Sequence, residues 1–500
     1  SPMDSLEKLV SALSESEHRA FRIQLVKTVR SKEVIKLYDA LASGKEWKPS
    51  ELRNLLYTKR NADKYYNTRR RLAEFVKRFI HEHFQEDVNE PEGKLHQLLA
   101  VARIMLKRRN YQAAQAQLGE VRQMAEAHHF YDVLANVYTL QLAHAEHLGE
   151  DVAELMELAT SNLGKLELLN KLNMAFVLIR KQLAEYRKAG LHFDTELTIR
   201  QVLSEVKFQR RDLLNNPVFV LRLMELVRTV VVSSKDYGNF KPYLIKAYNL
   251  LSENKAFTGA NASLEGEFLY MLSHVHYRMR DFAEAEKWLV RLQSYLSAAG
   301  YAENMKANAL MIEAGISFYS GNADGGIAIL ESGIQRFAKV VGRREHWNMQ
   351  LNLTVYLFFK GEYRKCVRHM NAIPNRTKEL EAELGKEWFF KRDMIEVIFQ
   401  YENKNVEGAR SKLVSVLKNY SAMLQEPNYR RAKTFLEFVL FFFDYPERID
   451  SPEFLERVKT ARAGWRDQPE DLQAIVFFSW LRSKMAKRPV YAMLLERVNE

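Results

Sequence analysis

His144 and His147 stand three residues apart on one helix face, with Glu146, Glu150 and Asp151 close by. Imidazole and carboxylate groups at that spacing match the ligand types of a zinc site. The pair also lies at the polar end of a helix before a turn, where histidine suits the negative end of the helix dipole. That second reading is preferred, and no metal or cofactor is expected. His81 and His83 are two apart and diverge on a helix. The single cysteine, Cys366, falls where small residues recur, so its thiol is expected to pack as alanine would. One cysteine allows no internal disulfide and fits a reducing compartment. The sequence contains no Gly-rich loop ending in Lys-Ser or Lys-Thr, no dinucleotide fingerprint and no His-Glu-x-x-His. The expectation is a protein without catalytic activity.

Basic side chains form the other concentration of chemistry. The chain has 75 Lys and Arg against 63 Asp and Glu, a net charge of +12, and its densest positive segment holds Lys59, Arg60, Lys64, Arg69, Arg70, Arg71, Lys77 and Arg78 against only Asp63 and Glu74. Such a segment suits phosphates, acidic protein surfaces, or simply a solvated helix face packed against the next element. Three short helices ahead of it resemble a helix-turn-helix or winged-helix layout. However, the stretch from His81 to Pro91 offers no β-hairpin for a wing.

The elements that position these residues are helices. Eleven prolines and twenty glycines are few for 500 residues, and no long β-branched alternation occurs, so an all-α chain is expected. Residues 3–88 read as a small separate domain. In it, Ser14 and Glu17 have capping-box spacing ahead of Phe21, Leu25 and Val29. A second helix runs from Glu33 to Leu41 and stops at Gly44, and Pro49 opens a third over Ser50 to Tyr57. The fourth runs from about Asp63 to Phe84 on a stripe of Tyr66, Leu72, Phe75, Val76 and Ile80. No apolar run reaches the ~20 residues of a membrane span. Ser1-Pro2-Met3 carries no charged and apolar leader, and a cytoplasmic location is expected.

From Glu92 a helix-pair pattern repeats. Each pair turns on a short polar segment, opens its second helix with an anchor residue, and in the clearest copies places a small residue three positions later. The anchors are Tyr111, Val152, Phe193, Tyr237, Phe282, Ala323, Tyr363 and Val406, at spacings of 41, 41, 44, 45, 41, 40 and 43. The turns Arg280-Asp281-Phe282 with Ala285, Gly321 with Gly326, and Gly361-Glu362-Tyr363 with Cys366 resemble the tetratricopeptide repeat (TPR), whose turn reads Gly-Asp-Tyr-x-x-Ala. The period exceeds the standard ~34. The first-helix Trp is missing, and Ser273, Ala314 and Thr354 replace its Gly.

The resemblance implies a right-handed α-solenoid of stacked antiparallel helix pairs, with an array over residues 92–427 and atypical pairs capping it over 428–500. The cap carries Phe435, Phe438, Phe441, Phe442, Phe443 and Trp480. It also implies a concave face, lined by first helices, that holds a peptide or partner helix. Candidate lining residues are Asn136, Gln141, Asn173, Arg180, Arg222, Arg228, His276, Asn308, Asn352 and Tyr356. The leading expectation is a bacterial-type adaptor that binds a protein or peptide partner. The alternative is a regulator whose basic helix, through Lys64, Arg69, Arg70, Arg71, Lys77 and Arg78, meets nucleic acid.

Overall fold

The computed structural model describes residues 5–500 except 46, 58–60, 87–90, 190–193, 206–215, 235–236, 259–261, 299–302, 339, 427–428 and 465–471. Among the described residues every regular element is helical and no strand occurs. None of these helices is long and apolar enough to cross a membrane. The chain divides into two compact units, Ser1–Glu167 and Leu168–Glu500, whereas the sequence suggested boundaries near residues 88–92 and 428.

The first unit opens with α1 (Ser5–Ser11), α2 (Glu15–Thr28), α3 (Lys32–Ala42), α4 (Pro49–Leu56) and the long α5 (Ala62–Glu86). The capping box forms at α2: the Glu17 N–H donates to Ser14 Oγ at 3.2 Å and the Ser14 N–H to Glu17 Oε2 at 2.7 Å. Phe21, Leu25 and Val29 are buried as expected. Phe21 meets Tyr38 of α3 and Phe79 of α5 edge-on, with ring centroids 4.9 and 5.3 Å apart.

The core stripe of α5 differs from the sequence reading by one position at its start. Tyr65, Leu72, Val76 and Phe79 are buried, and Tyr66 is 65% exposed. Tyr65 is the residue spaced seven before Leu72, so it shares the core face at 3.6 residues per turn. The unit continues with α6 (Pro91–Lys107), α7 (Tyr111–Ala127), α8 (Tyr131–Ala143), α9 (Ala145–Leu148) and the first turns of α10 (Val152–Ala189).

The second unit takes the rest of α10, then α11 (Thr195–Glu205), α12 (Pro217–Ser234), α13 (Tyr237–Glu253), α14 (Ala262–Arg278), α15 (Phe282–Ala298), α16 (Glu303–Tyr319), α17 (Ala323–Phe337), α18 (Arg343–Lys360), α19 (Tyr363–Ala372), α20 (Lys378–Leu384), α21 (Lys386–Glu402), α22 (Val406–Asn419), α23 (Ser421–Leu424), α24 (Arg430–Asp444), α25 (Pro452–Ala463), α26 (Leu472–Ala486) and α27 (Val490–Asn499). Consecutive helices pack as pairs, α14 on α15, α16 on α17, α18 on α19, α21 on α22.

Five pairs close with one and the same turn. The residue two before the anchor is left-handed: Arg109, Arg280, Gly321, Gly361 and Lys404 have φ of 56°, 64°, 98°, 86° and 64°. The next N–H reaches back five residues to a first-helix carbonyl, as from Asn110 to Met105 at 2.9 Å and from Asn322 to Ser317 at 3.0 Å. This is the Schellman closure, which satisfies carbonyls that the helix end leaves open. Asn110, Asp281, Asn322 and Asn405 then cap the second helix, each accepting the N–H three residues on. Three residues past each anchor, Ala114, Ala285, Gly326, Cys366 and Ala409 are buried.

A side chain at Gly326 would place its Cβ 2.8 Å from Ala314 O, so the two backbones touch where both helices carry small residues. Within the α18–α19 pair Cys366 Sγ donates to Thr354 O at 3.5 Å, and burial pushes its thiol up to about 12. At Val152 the turn is one residue longer: Gly149 is left-handed at 68°, and Asp151 accepts from Ala153 and Glu154. At Tyr237 the third residue on is the buried Phe240 instead of a small one. The anchor Phe193 lies outside the described residues.

The last helices depart from this scheme. The α26–α27 hairpin packs on helices far ahead of it in the chain, Trp480 meeting Glu402 across 78 residues and Tyr491 meeting Phe318 across 173. Trp480 is fully buried, donates from Nε1 to Glu402 Oε1 at 2.9 Å and meets Tyr401 edge-on. With Val476 and Phe477 it lines an apolar space shared with Val355, Phe359 and Ile398 of α18 and α21. The Tyr491 ring lies 5.0 Å from that of Phe318 in α16, and its hydroxyl donates to Phe318 O. Arg280 Nη1 donates to Arg497 O at 3.2 Å.

Candidate functional site

In the second unit the latter part of α10, which runs unbroken from the anchor Val152, joins the first helices α12 and α14 in bringing polar and aromatic side chains together. Asn216 caps α12 by accepting from Val218 and Phe219, and Pro217 at its first position fixes the entry. The Arg222 guanidinium then reaches across to α10. It donates from Nε and Nη2 to Asn173 Oδ1 at 3.1 and 2.9 Å, and from Nη1 to Glu225 Oε2 at 2.9 Å. It also lies 4.3 Å above the Phe176 ring, which Arg180 approaches at 5.7 Å. Farther along α12, Arg228 lies 5.3 Å from the ring of Tyr270 on α14. Burial, reinforced by Glu225, raises the Glu267 carboxyl, and Arg228 pulls it back down.

Arginines held over aromatic faces keep their charge and N–H groups in fixed positions, so this face presents ordered cations beside carboxylates. Next to it on α10, Met174 and Val177 are 60% and 68% exposed. Asn173, Arg180, Arg222 and Arg228 from the sequence reading therefore fall within one constellation. Glu225, Glu267, Phe176 and Tyr270 escaped that reading. Their signal was spacing: Glu225 follows Arg222 by three residues, and Tyr270 follows Glu267 by three.

Other residues named from the sequence are placed differently. Tyr356, 3% exposed, stacks on Phe318 with centroids 4.0 Å apart, and burial raises its hydroxyl well above the ordinary tyrosine value. His276, also 3% exposed, is held below its ordinary value by burial and by Lys241. Asp281, 3.5 Å from its Nδ1, acts in the opposite direction. Gln141 is buried and donates to Glu150 at 3.2 Å. These three were read as groove-lining, but their side chains are interior. Asn308 and Asn352 are half-buried, and Asn352 Nδ2 lies 3.6 Å from Met311 Sδ.

In the first unit Asn136 is exposed and accepts from Arg103 at 2.9 Å. The His147 ring stacks on Tyr111 at 4.5 Å, and among the described residues no three His, Cys, Asp or Glu side chains gather as metal ligands would. On α5, Lys64, Arg70, Arg71, Lys77 and Arg78 are exposed. Arg69 is 8% exposed, donates to Tyr65 Oη at 3.0 Å and faces Glu7 at 3.9 Å. It was read as a phosphate contact, but its place four residues after Tyr65 and three before Leu72 turns it to the core. Lys59 and Arg60 lie outside the described residues. Against known protein families and against curated proteins, the chain finds no match.

Proposed function

We propose that the protein is a non-catalytic, TPR-like scaffold, a right-handed solenoid of helix pairs, that binds a protein or peptide partner on the face formed by α10, α12 and α14. The reading rests on one observation: Asn173, Arg180, Arg222, Glu225, Arg228 and Glu267 converge there from these three helices, with arginines over the Phe176 and Tyr270 rings. The partner chemistry that matches is an extended or helical segment carrying carboxylates for Arg180 and Arg228 and apolar side chains for Met174 and Val177. A peptide array probed with the wild-type chain and with Arg180→Ala/Arg228→Ala tests it. Acidic, apolar-flanked peptides should bind the wild type and lose about tenfold or more in affinity with the variant, as expected when charge-assisted hydrogen bonds are removed. Equal binding by both proteins, or a measured turnover on a small molecule, overturns it.

A further inference from the structure

The exposed face of α5 has an order that the count of its charges does not convey. α5 packs against α1, α2, α3, α4 and α6, and the side away from its buried stripe is exposed to solvent. On that side Lys64, Arg71 and Arg78 recur every seven residues and form one row. Arg70 and Lys77, also seven apart, form a second row roughly a third of a turn away. Between the rows run Asn67 and Glu74, again seven apart and exposed. Lys77 pairs with Glu74 at 3.3 Å, while Lys64, Arg70, Arg71 and Arg78 make no ion pair among the described residues. Asn67, Arg70, Arg71, Glu74, Phe75 and Arg78 line an open depression along the helix.

We infer that this face of α5 is a docking surface for duplex DNA, with the helix lying in the major groove. A helix is ~10–12 Å across and the groove about 12 Å wide, so each cation row meets the phosphates of one strand. The cations extend over about 21 Å at 1.5 Å per residue. The central row, Asn67 and Glu74, points at the groove floor, where an amide matches adenine and a carboxylate matches the cytosine amino group. An acidic protein surface would gain nothing from a carboxylate set between the cation rows. A-form RNA has a major groove too narrow for a helix. The surface shares no residue with the α10–α12–α14 face and does not depend on the function proposed for it.

The test is fluorescence anisotropy of the full chain with a labelled mixed-sequence duplex of about 30 base pairs, at about 50 and about 200 mM salt. The wild type should bind with a steep salt dependence, and Arg70→Ala/Arg71→Ala/Arg78→Ala should bind about tenfold or more weakly and flatten the log–log slope by about 2 to 3. The Arg70→Lys/Arg71→Lys/Arg78→Lys chain, which keeps the charge, should stay within about threefold of wild type. It also provides the readout should the alanine chain fail a circular-dichroism melt. Changing Lys378, Lys404 and Lys418 of the second unit to Ala removes equal charge and should leave the slope unchanged. No binding at low salt, an equal loss in the second-unit control, weak binding by the lysine chain, or equal affinity for duplex RNA overturns the inference.

Discussion

The hairpins from α14 to α22 and the α24–α27 segment that follows them are built from similar residues but held by different kinds of contact. In the hairpins the decisive interactions are local. A left-handed residue, a cap and a small residue fall within about six positions of one another, and the set recurs at Phe282, Ala323 and Val406, and at Tyr363 without the side-chain cap. In the later segment the decisive contacts are remote: Trp480 with Tyr401, and Tyr491 with Phe318. Periodic sequence therefore specifies how each pair closes, whereas bulky aromatics specify where the last hairpin lands.

Removing the remote contact should have the largest effect. Trp480→Ala takes a fully buried indole and its bond to Glu402 out of the α18–α21–α26 core, and is expected to cost about 3–5 kcal/mol. Denaturant unfolding followed by tryptophan-independent circular dichroism measures it, and a cost near zero would mean that α26 does not depend on that site. In the hairpins, Gly326→Ala should cost about 1–3 kcal/mol by overpacking, because its methyl meets a backbone oxygen at 2.8 Å. The comparable addition at Gly119, where nothing lies within 4 Å, should be neutral or stabilising.

The shared turn makes a prediction of opposite sign. Gly321 and Gly361 hold the left-handed position freely, while Lys404 holds it at φ 64° with a side chain. Lys404→Gly removes a strain of about 1–2 kcal/mol and adds about 0.5–1 kcal/mol of unfolded-chain entropy. A rise of about 0.5–1 kcal/mol is expected in the same unfolding experiment. The smallest effect is one of pH. Burial holds the His276 imidazole below its ordinary value, so an unfolded chain takes up a proton near pH 6.5 before the folded one does. The stability this ring contributes is present above about pH 6.5 and is lost as pH falls through the folded value. Burial lowers His346 and His369 in the same direction. Unfolding midpoints should be lower at about pH 5.5 than at about pH 7.5, and His276→Gln should narrow the gap.

These differences also account for what was legible beforehand. The helical elements of the described residues, the capping box at Ser14 and the described hairpin anchors depend on neighbours in sequence, and they stand where spacing put them. Tyr356 and His276 were taken for groove residues because they are polar side chains on first helices. Tyr356 is buried by a ring stack with Phe318, itself in contact with Tyr491, and His276 by packing that no local pattern announces. Arg69 shows the reverse: its spacing from Tyr65 and Leu72 was visible, but three consecutive arginines drew attention to charge over phase. The Arg222 cluster was half-visible, since its arginines were apparent while the rings beneath them lie on other helices.

The contacts of α27 with α16 and with the turn after α14 carry a consequence for how the second unit comes apart. A stack joined only between neighbours sheds its end repeats one at a time, each at its own local cost. Here the Tyr491 hydroxyl on Phe318 O and the Arg280 guanidinium on Arg497 O tie positions 173 and 217 residues apart. The intervening helices are thus clasped at both ends, and fraying from α27 inward must first open that clasp. Such a body should melt in a single concerted transition, and it should fold slowly because closure awaits partners so distant along the chain.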